Sequence, residues 1–167
     1  LILFDTNRAK YYPLSYTRPI SDFIVGILTI KQKWEQYYDS VSVKTEDYLS
    51  PKYPIVIQDD NLWVNSKTIP SHELYVELNN LRKGESLEKN GEIIAFRNNT
   101  FNKKKLNAID SNVSIHTIEN LYDLFLYNSR EINKDFISLT KGRKSSAINE
   151  TNTLVGQNIF IEKGSTV

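Results

Sequence analysis

The sequence predicts an α/β fold with a mainly parallel sheet, and three observations carry that expectation. Leu1-Ile2-Leu3-Phe4 is an unbroken apolar run ending at Asp5, the pattern of a strand covered on both faces. Short strand-like runs then alternate with stretches of helical spacing. Asn90-Gly91 joins two strand-like stretches, a type I′ hairpin signal that adds an antiparallel pair.

Composition fits one folded unit. The chain has 167 residues, 40% hydrophobic and 25% charged, enough apolar side chain to offset chain entropy and exclude disorder as the main state. With 21 Lys+Arg against 20 Asp+Glu the net charge is only +1, so neither nucleic acid nor an anionic membrane is the expected partner. The absence of cysteine excludes a disulfide scaffold, a thiolate zinc site and a thiol nucleophile. The longest apolar run, Phe23 to Leu28, is too short to span a bilayer, and the opening residues lack a basic leader. A cytoplasmic protein is expected, with its three N-x-S/T triplets as chance matches.

Each element follows from local pattern. After the first strand, Thr6 to Pro19 is a polar, Tyr-rich loop. Thr29-x-x-Gln32 is a capping box opening a helix with Ile30, Trp34 and Tyr37 or Tyr38 on one face. Ser42 to Lys44, Ile55 to Ile57 and Leu62 to Asn65 read as strands. Pro70-Ser71 opens a helix with Leu74, Leu78 and Leu81 on one stripe, stopped by Gly84. Val113 to Ile118 alternates as a strand. Leu121, Phe125, Asn128, Ile132, Phe136 and Leu139 mark one long helix, expected to bury that face.

The last segment has another period. Val155, Ile161 and Val167 recur every six residues, which suits a triangular solenoid with one aliphatic residue inward per side, or a plain amphipathic strand. A solenoid coil needs stacked neighbours to bury its face. The chain is therefore expected to be a piece of a longer protein: a domain over 1–150 and the start of a solenoid over 151–167.

In an open α/β sheet, ligands gather beyond the carboxyl ends of the strands. Arg8, Lys10 and Arg18 lie in the loop at that place and could surround phosphate oxygens; the alternative is a solvated basic loop. Lys141-Gly142-Arg143-Lys144 ends the long helix, as a second anion contact or simply as complement to the helix dipole. Tyr11, Tyr12 and Tyr16 could line a base or sugar. Lys103-Lys104-Lys105 reads as a solvated turn, and His72 and His116 show no metal or triad spacing.

Several blocks resemble a known family. Pro13-Leu14-Ser15-Tyr16-Thr17-Arg18-Pro19-Ile20 and Gly26-Ile27-Leu28-Thr29-Ile30-Lys31-Gln32-Lys33-Trp34-Glu35 come first. Asp123-Leu124-Phe125, Asp135-Phe136, Thr140-Lys141-Gly142-Arg143-Lys144-Ser145 and Asn158-Ile159-Phe160-Ile161-Glu162 follow in order. Together they resemble the divergent Bacteroidetes-type bifunctional N-acetylglucosamine-1-phosphate uridyltransferase/glucosamine-1-phosphate acetyltransferase, a sugar nucleotidyltransferase. The resemblance implies a Rossmann-like α/β/α nucleotidyltransferase sandwich followed by a left-handed β-helix of hexapeptide repeats. It implies transfer of UMP from UTP to N-acetylglucosamine 1-phosphate with release of pyrophosphate, Mg²⁺ as cofactor, and a homotrimer formed through the β-helix.

On that resemblance Arg8, Arg18 and Lys33 are expected to act on the phosphates. Asn65, Lys141 and Arg143 are expected to hold substrate, and Asp123 to hold the metal. Three departures stand out. Asp5-Thr6-Asn7 replaces the family's glycine-rich loop. Val64-Asn65-Ser66-Lys67 places a lysine where a metal-holding aspartate is usual, so that Asp59, Asp60 or Asp123 holds the ion, Lys67 replaces part of its charge, or the domain binds without catalysing. Ile24 stands where an arginine is expected.

Overall fold

The computed structural model describes residues 1–166. A six-stranded mixed sheet forms its centre. Its strands are β1 (Ile2–Phe4), β2 (Ser42–Lys44), β3 (Asn61–Asn65), β5 (Glu85–Lys89), β6 (Glu92–Asn98) and β7 (Asn107–Asp110), in the spatial order β2-β1-β3-β6-β5-β7. A small second sheet pairs β4 (Thr68–Ile69) with β8 (His116–Thr117). The helices are α1 (Ile30–Trp34), α2 (His72–Asn80) and α3 (Asp123–Thr140).

The apolar run predicted as a covered strand is β1, fully buried and parallel to both β2 and β3. Only β6 runs against its neighbours β3 and β5, and β7 pairs parallel with β5. The β5–β6 reversal is the predicted hairpin: Asn90 (φ 52°) and Gly91 (φ 77°) both adopt the positive φ that a type I′ turn requires.

One face of the sheet carries the main core, with Leu3, Val43 and Val64 packed among Trp34, Ile30, Leu74, Leu78 and Tyr11. The other face carries a smaller aromatic cluster of Phe4, Trp63 and Phe96, to which Phe101 adds an edge-on ring. The Thr29–Gln32 capping box forms with both reciprocal bonds, and Ser71 caps α2 through its side chain. Tertiary burial, rather than length, holds the five-residue α1: Ile30 and Trp34 are inaccessible, and the indole N–H of Trp34 donates to the Thr68 carbonyl.

Several expectations need correction. Ile55 to Ile57 forms no strand and leaves all three side chains exposed. Val113 to Ile118 shortens to the two residues of β8. The long helix forms, but its expected apolar positions are split: Phe125 is 80% exposed and Ile132 39%, whereas Leu121, Phe136 and Leu139 are half-buried. The face turned to the body carries Asn128 of the expected stripe together with Glu131 and Asp135. The reason is electrostatic: these polar side chains satisfy buried donors in the segment before α1 and in α1 itself, which an apolar face could not do.

Among the described residues no β-helix is evident. Residues 145–166 carry no strand, Val155 is 88% exposed, and Val167 lies outside the described residues. Instead the segment folds back on the end of α3. Ser146 N–H donates to the Ile161 carbonyl, Ile161 N–H donates to Ser145 Oγ, and Arg143 pairs with Glu162 and lies over the Phe160 ring.

Candidate functional site

The carboxyl ends of β1, β2 and β3 point to one edge of the sheet. The start of β6 reaches the same edge because β6 is antiparallel to β3. That topology gathers Asp5 to Asn7, Thr45, Asn65 to Lys67 and the β5–β6 hairpin along one rim.

Asn65, at the end of β3, is buried; its Oδ1 accepts from the Thr6 hydroxyl at 3.3 Å and from the Lys67 backbone N–H at 3.4 Å. Lys67 is 4% exposed. Its ammonium donates to Glu92 Oε2 at 2.7 Å and to Glu119 Oε1 at 2.6 Å, while both carboxylates stay more than two-fifths exposed. Thr117 adds a hydroxyl donor to Glu119 at 2.8 Å. Burial disfavours the Glu119 charge, but the Lys67 and Thr117 hydrogen bonds outweigh it and hold the carboxyl below its usual range. Glu92 and Glu119 line a notch of about 130 Å³ together with Lys89.

Two further cations belong to this region. Lys10 acts electrostatically on Glu119 from the loop after β1. Lys103 rests 4.2 Å over the Phe4 ring; burial lowers its ammonium pKa, and Glu92 opposes the shift. Four ammonium groups (Lys10, Lys67, Lys89, Lys103) and the carboxylates of Glu92, Glu119 and Asp123 thus share this part of the rim. Tyr11 ties the loop to this region, its hydroxyl donating to the Ile118 carbonyl at 2.6 Å, next to Glu119.

Beyond Tyr11, Tyr12 and Tyr16 stack with ring centroids 4.0 Å apart and planes inclined by 11°. They stay 45% and 54% exposed. Arg18 is exposed in the same loop.

The phosphate cluster expected from the sequence does not form as one group. Arg8 is buried, and its guanidinium is used inside the loop: it pairs with Asp5 at 2.6 Å and donates to Thr45 Oγ1, the Arg18 and Ser15 carbonyls and the Tyr48 hydroxyl. Five acceptors of the fold take its donors, so it shapes the loop. Lys33 is buried against Glu131 and Asp135 and lines a different cavity, of about 520 Å³, between α1, the start of α2 and α3. Lys141 lines that second cavity too, and Arg143 is held by the tail. Their positions on α1, at the end of α3 and in the tail separate what the linear spacing suggested could converge.

Asp123, expected to hold the metal, is committed on one oxygen to backbone donors. Its Oδ2 accepts the backbone N–H groups of Glu119 and Asn120, both at 2.8 Å, which ties the turn before α3 to the first residue of the helix. Asp59 and Asp60 precede β3, at the opposite end of the strand, and Asp60 is paired with Arg97. Among the described residues no group of three or more His, Cys, Asp or Glu side chains could hold a metal. The residues present therefore do not fit a resident Mg²⁺: Glu92 and Glu119 already share the Lys67 ammonium, and Asp5 is paired with Arg8.

Sequence reading singled out Asn65 and Lys67 but missed Glu92 and Glu119. No local spacing marks them, because the hairpin and the β4–β8 pairing bring them together.

Among the described residues no helix is long and apolar enough to cross a membrane. A search of curated proteins finds no match. The sugar nucleotidyl transferase family model matches residues 1–144, a span that contains the whole sheet, the three helices and every rim residue named above. The chain belongs to the sugar nucleotidyl transferase family.

Proposed function

We propose that this domain transfers UMP from UTP to N-acetylglucosamine 1-phosphate. A phosphate oxygen of the sugar phosphate attacks the α-phosphorus in line, the bond from that phosphorus to the bridging oxygen breaks, and pyrophosphate leaves. The observation that carries this reading is the cationic rim at the carboxyl ends of β1 and β3, in a chain of this family. Positioning and charge stabilisation supply most of such a reaction, which suits a rim of ammonium groups and no cysteine nucleophile.

In this reading Lys10, Lys67 and exposed Arg18 meet the triphosphate. Asn65, Glu92 and Glu119 accept from sugar hydroxyls. Arg8 keeps the loop after β1 in shape from behind. Any Mg²⁺ arrives on the triphosphate, held through its phosphate oxygens. A cytoplasmic protein that continues into a β-helix and trimerises through it belongs to the same proposal, and nothing in it calls for nucleic acid or membrane.

The test is pyrophosphate release from UTP and N-acetylglucosamine 1-phosphate. No turnover with any common nucleoside triphosphate and sugar 1-phosphate ends the reading. One observation favours a second reading, a nucleotide-sugar-binding module without turnover: Lys67, paired with two glutamates, stands where a metal-holding carboxylate is expected. That reading gives saturable UDP-sugar binding in calorimetry and no pyrophosphate.

A further inference from the structure

We propose that the Lys67 ammonium is the resident cation of this crevice, bridging Glu92 and Glu119 and keeping divalent metal out of the notch between them. It rests on the transferase reading only for the identity of the incoming ligand; the exclusion of metal is a property of the side chains themselves.

The geometry is that of a cation site already filled. One nitrogen lies 2.7 Å from a Glu92 oxygen and 2.6 Å from a Glu119 oxygen, so the two carboxylates converge on a single point. They come from different elements, Glu92 from the start of β6 and Glu119 from just after β8. Like charges so close require a cation between them. Lys67 supplies it from an almost fully buried stem at the end of the central strand, so the charge is fixed in place rather than drawn from solvent.

Magnesium or manganese would need the same carboxylate oxygens at close to 2 Å, together with several waters. The ammonium sits on that point and cannot share it. The Lys67 backbone is also anchored: its N–H faces Asn65 Oδ1, and its carbonyl accepts from the Ile118 N–H at 2.9 Å. Displacing the side chain would leave a buried ammonium without acceptors, so a metal gains the notch only against that penalty. A triphosphate entering the crevice then meets a fixed point charge, with Lys10, Lys89 and Lys103 around it. The fold thus neutralises one of the two glutamate charges by a covalent route, where a bound ion would otherwise be required.

The experiment titrates the full chain with Mn²⁺ and follows free ion by electron paramagnetic resonance. The wild type shows no saturable site. Lys67→Ala and, as a shape-retaining alternative, Lys67→Met each gain one Mn²⁺ site, at least about tenfold tighter than any wild-type binding. Adding Glu92→Gln to Lys67→Ala removes the gain. Wild-type protein that binds Mn²⁺ as tightly as the variants overturns the proposal, as do folded variants that gain no site. Saturable wild-type binding that Glu92→Gln abolishes overturns it without any Lys67 variant. No nucleotide enters this titration, so its failure is separate from a failure of pyrophosphate release.

Discussion

Lys33 and Asp135 stand 102 residues apart in sequence and form a buried ion pair that ties α1 to α3. The same carboxylate does more. Its Oδ2 accepts the backbone N–H of Ile27 at 2.9 Å and of Leu28 at 3.0 Å, while Asn128 accepts the Gly26 N–H at 2.9 Å. Glu131 completes the cluster at 3.1 Å from the Lys33 ammonium. One polar stripe of α3 thus satisfies three backbone donors and one ammonium of the segment from Gly26 to Lys33, which explains why the face with these charges, rather than the side of Phe125, turns inward.

Removing Asp135 should therefore be costly. Asp135→Ala orphans the Ile27 and Leu28 N–H groups and leaves Lys33 with Glu131 alone, a loss of about 3 kcal/mol. Urea unfolding measures it; a loss below about 1 kcal/mol would mean that the polar stripe does not hold α3 in place.

Gly26 tests the same contact from the other side. Its φ is +89°, and a Cβ would stand 2.6 Å from Asp135 Oδ2 and 2.7 Å from the Glu131 carbonyl carbon. Backbone strain and overlap act together, so Gly26→Ala should cost about 3 kcal/mol. Gly84 has a similar φ of +87° with open space around it, so Gly84→Ala should cost only about 1 kcal/mol. Equal losses in thermal or urea unfolding would show that packing at Gly26 adds nothing.

The exposed Tyr12–Tyr16 stack offers a flat platform for a base on the proposed reading. Replacing both with alanine should weaken UTP binding by roughly 1–3 kcal/mol and leave tripolyphosphate binding unchanged. Calorimetry with the two ligands separates the effects. Identical UTP affinity in wild type and variant would place the base elsewhere.

Acid should destabilise the protein through Glu119 and Glu131. In both, burial works against the charge, but lysine hydrogen bonds outweigh it and keep the folded carboxyl below its ordinary value. The unfolded chain then binds protons first, so this stability is fully present above the ordinary glutamate range and is lost as pH falls through the folded value. A urea midpoint that falls with pH below the ordinary range, with a shallower fall in Glu119→Gln, is the expected result.

His116 acts at higher pH with the same sign. Burial and the facing Arg130 and Lys134 lower its pKa, against a partial opposing pull from Glu131. Arg130 lies 2.8 Å from His116 Nε2, and Tyr127 packs edge-on to the ring. The unfolded histidine takes up protons first, so stability falls as pH drops below about 6.5. His116→Gln should flatten the urea midpoint between neutral pH and the onset of the glutamate loss.

Local chemistry determined much of this protein by itself. The apolar run of β1, the Thr29–Gln32 capping box, the Ser71 cap and the Asn90–Gly91 turn all depend on interactions within a few residues, so each was legible without a partner. The ordered blocks likewise carried the family. The rest depended on long-range pairing. Hydrophobic spacing located α3 but not the charges of its inward face, Glu131 and Asp135, because donors more than 100 residues away made that choice. The family resemblance implied that Arg8 and Lys33 act together on phosphates, whereas burial gave each its own carboxylate partners: Asp5 for one, Glu131 and Asp135 for the other. Only the hairpin and the β4–β8 pairing set Glu92 and Glu119 around Lys67. A buried charge takes whichever opposite charge the fold brings within reach, and that distance is a property of the folded chain rather than of the sequence interval.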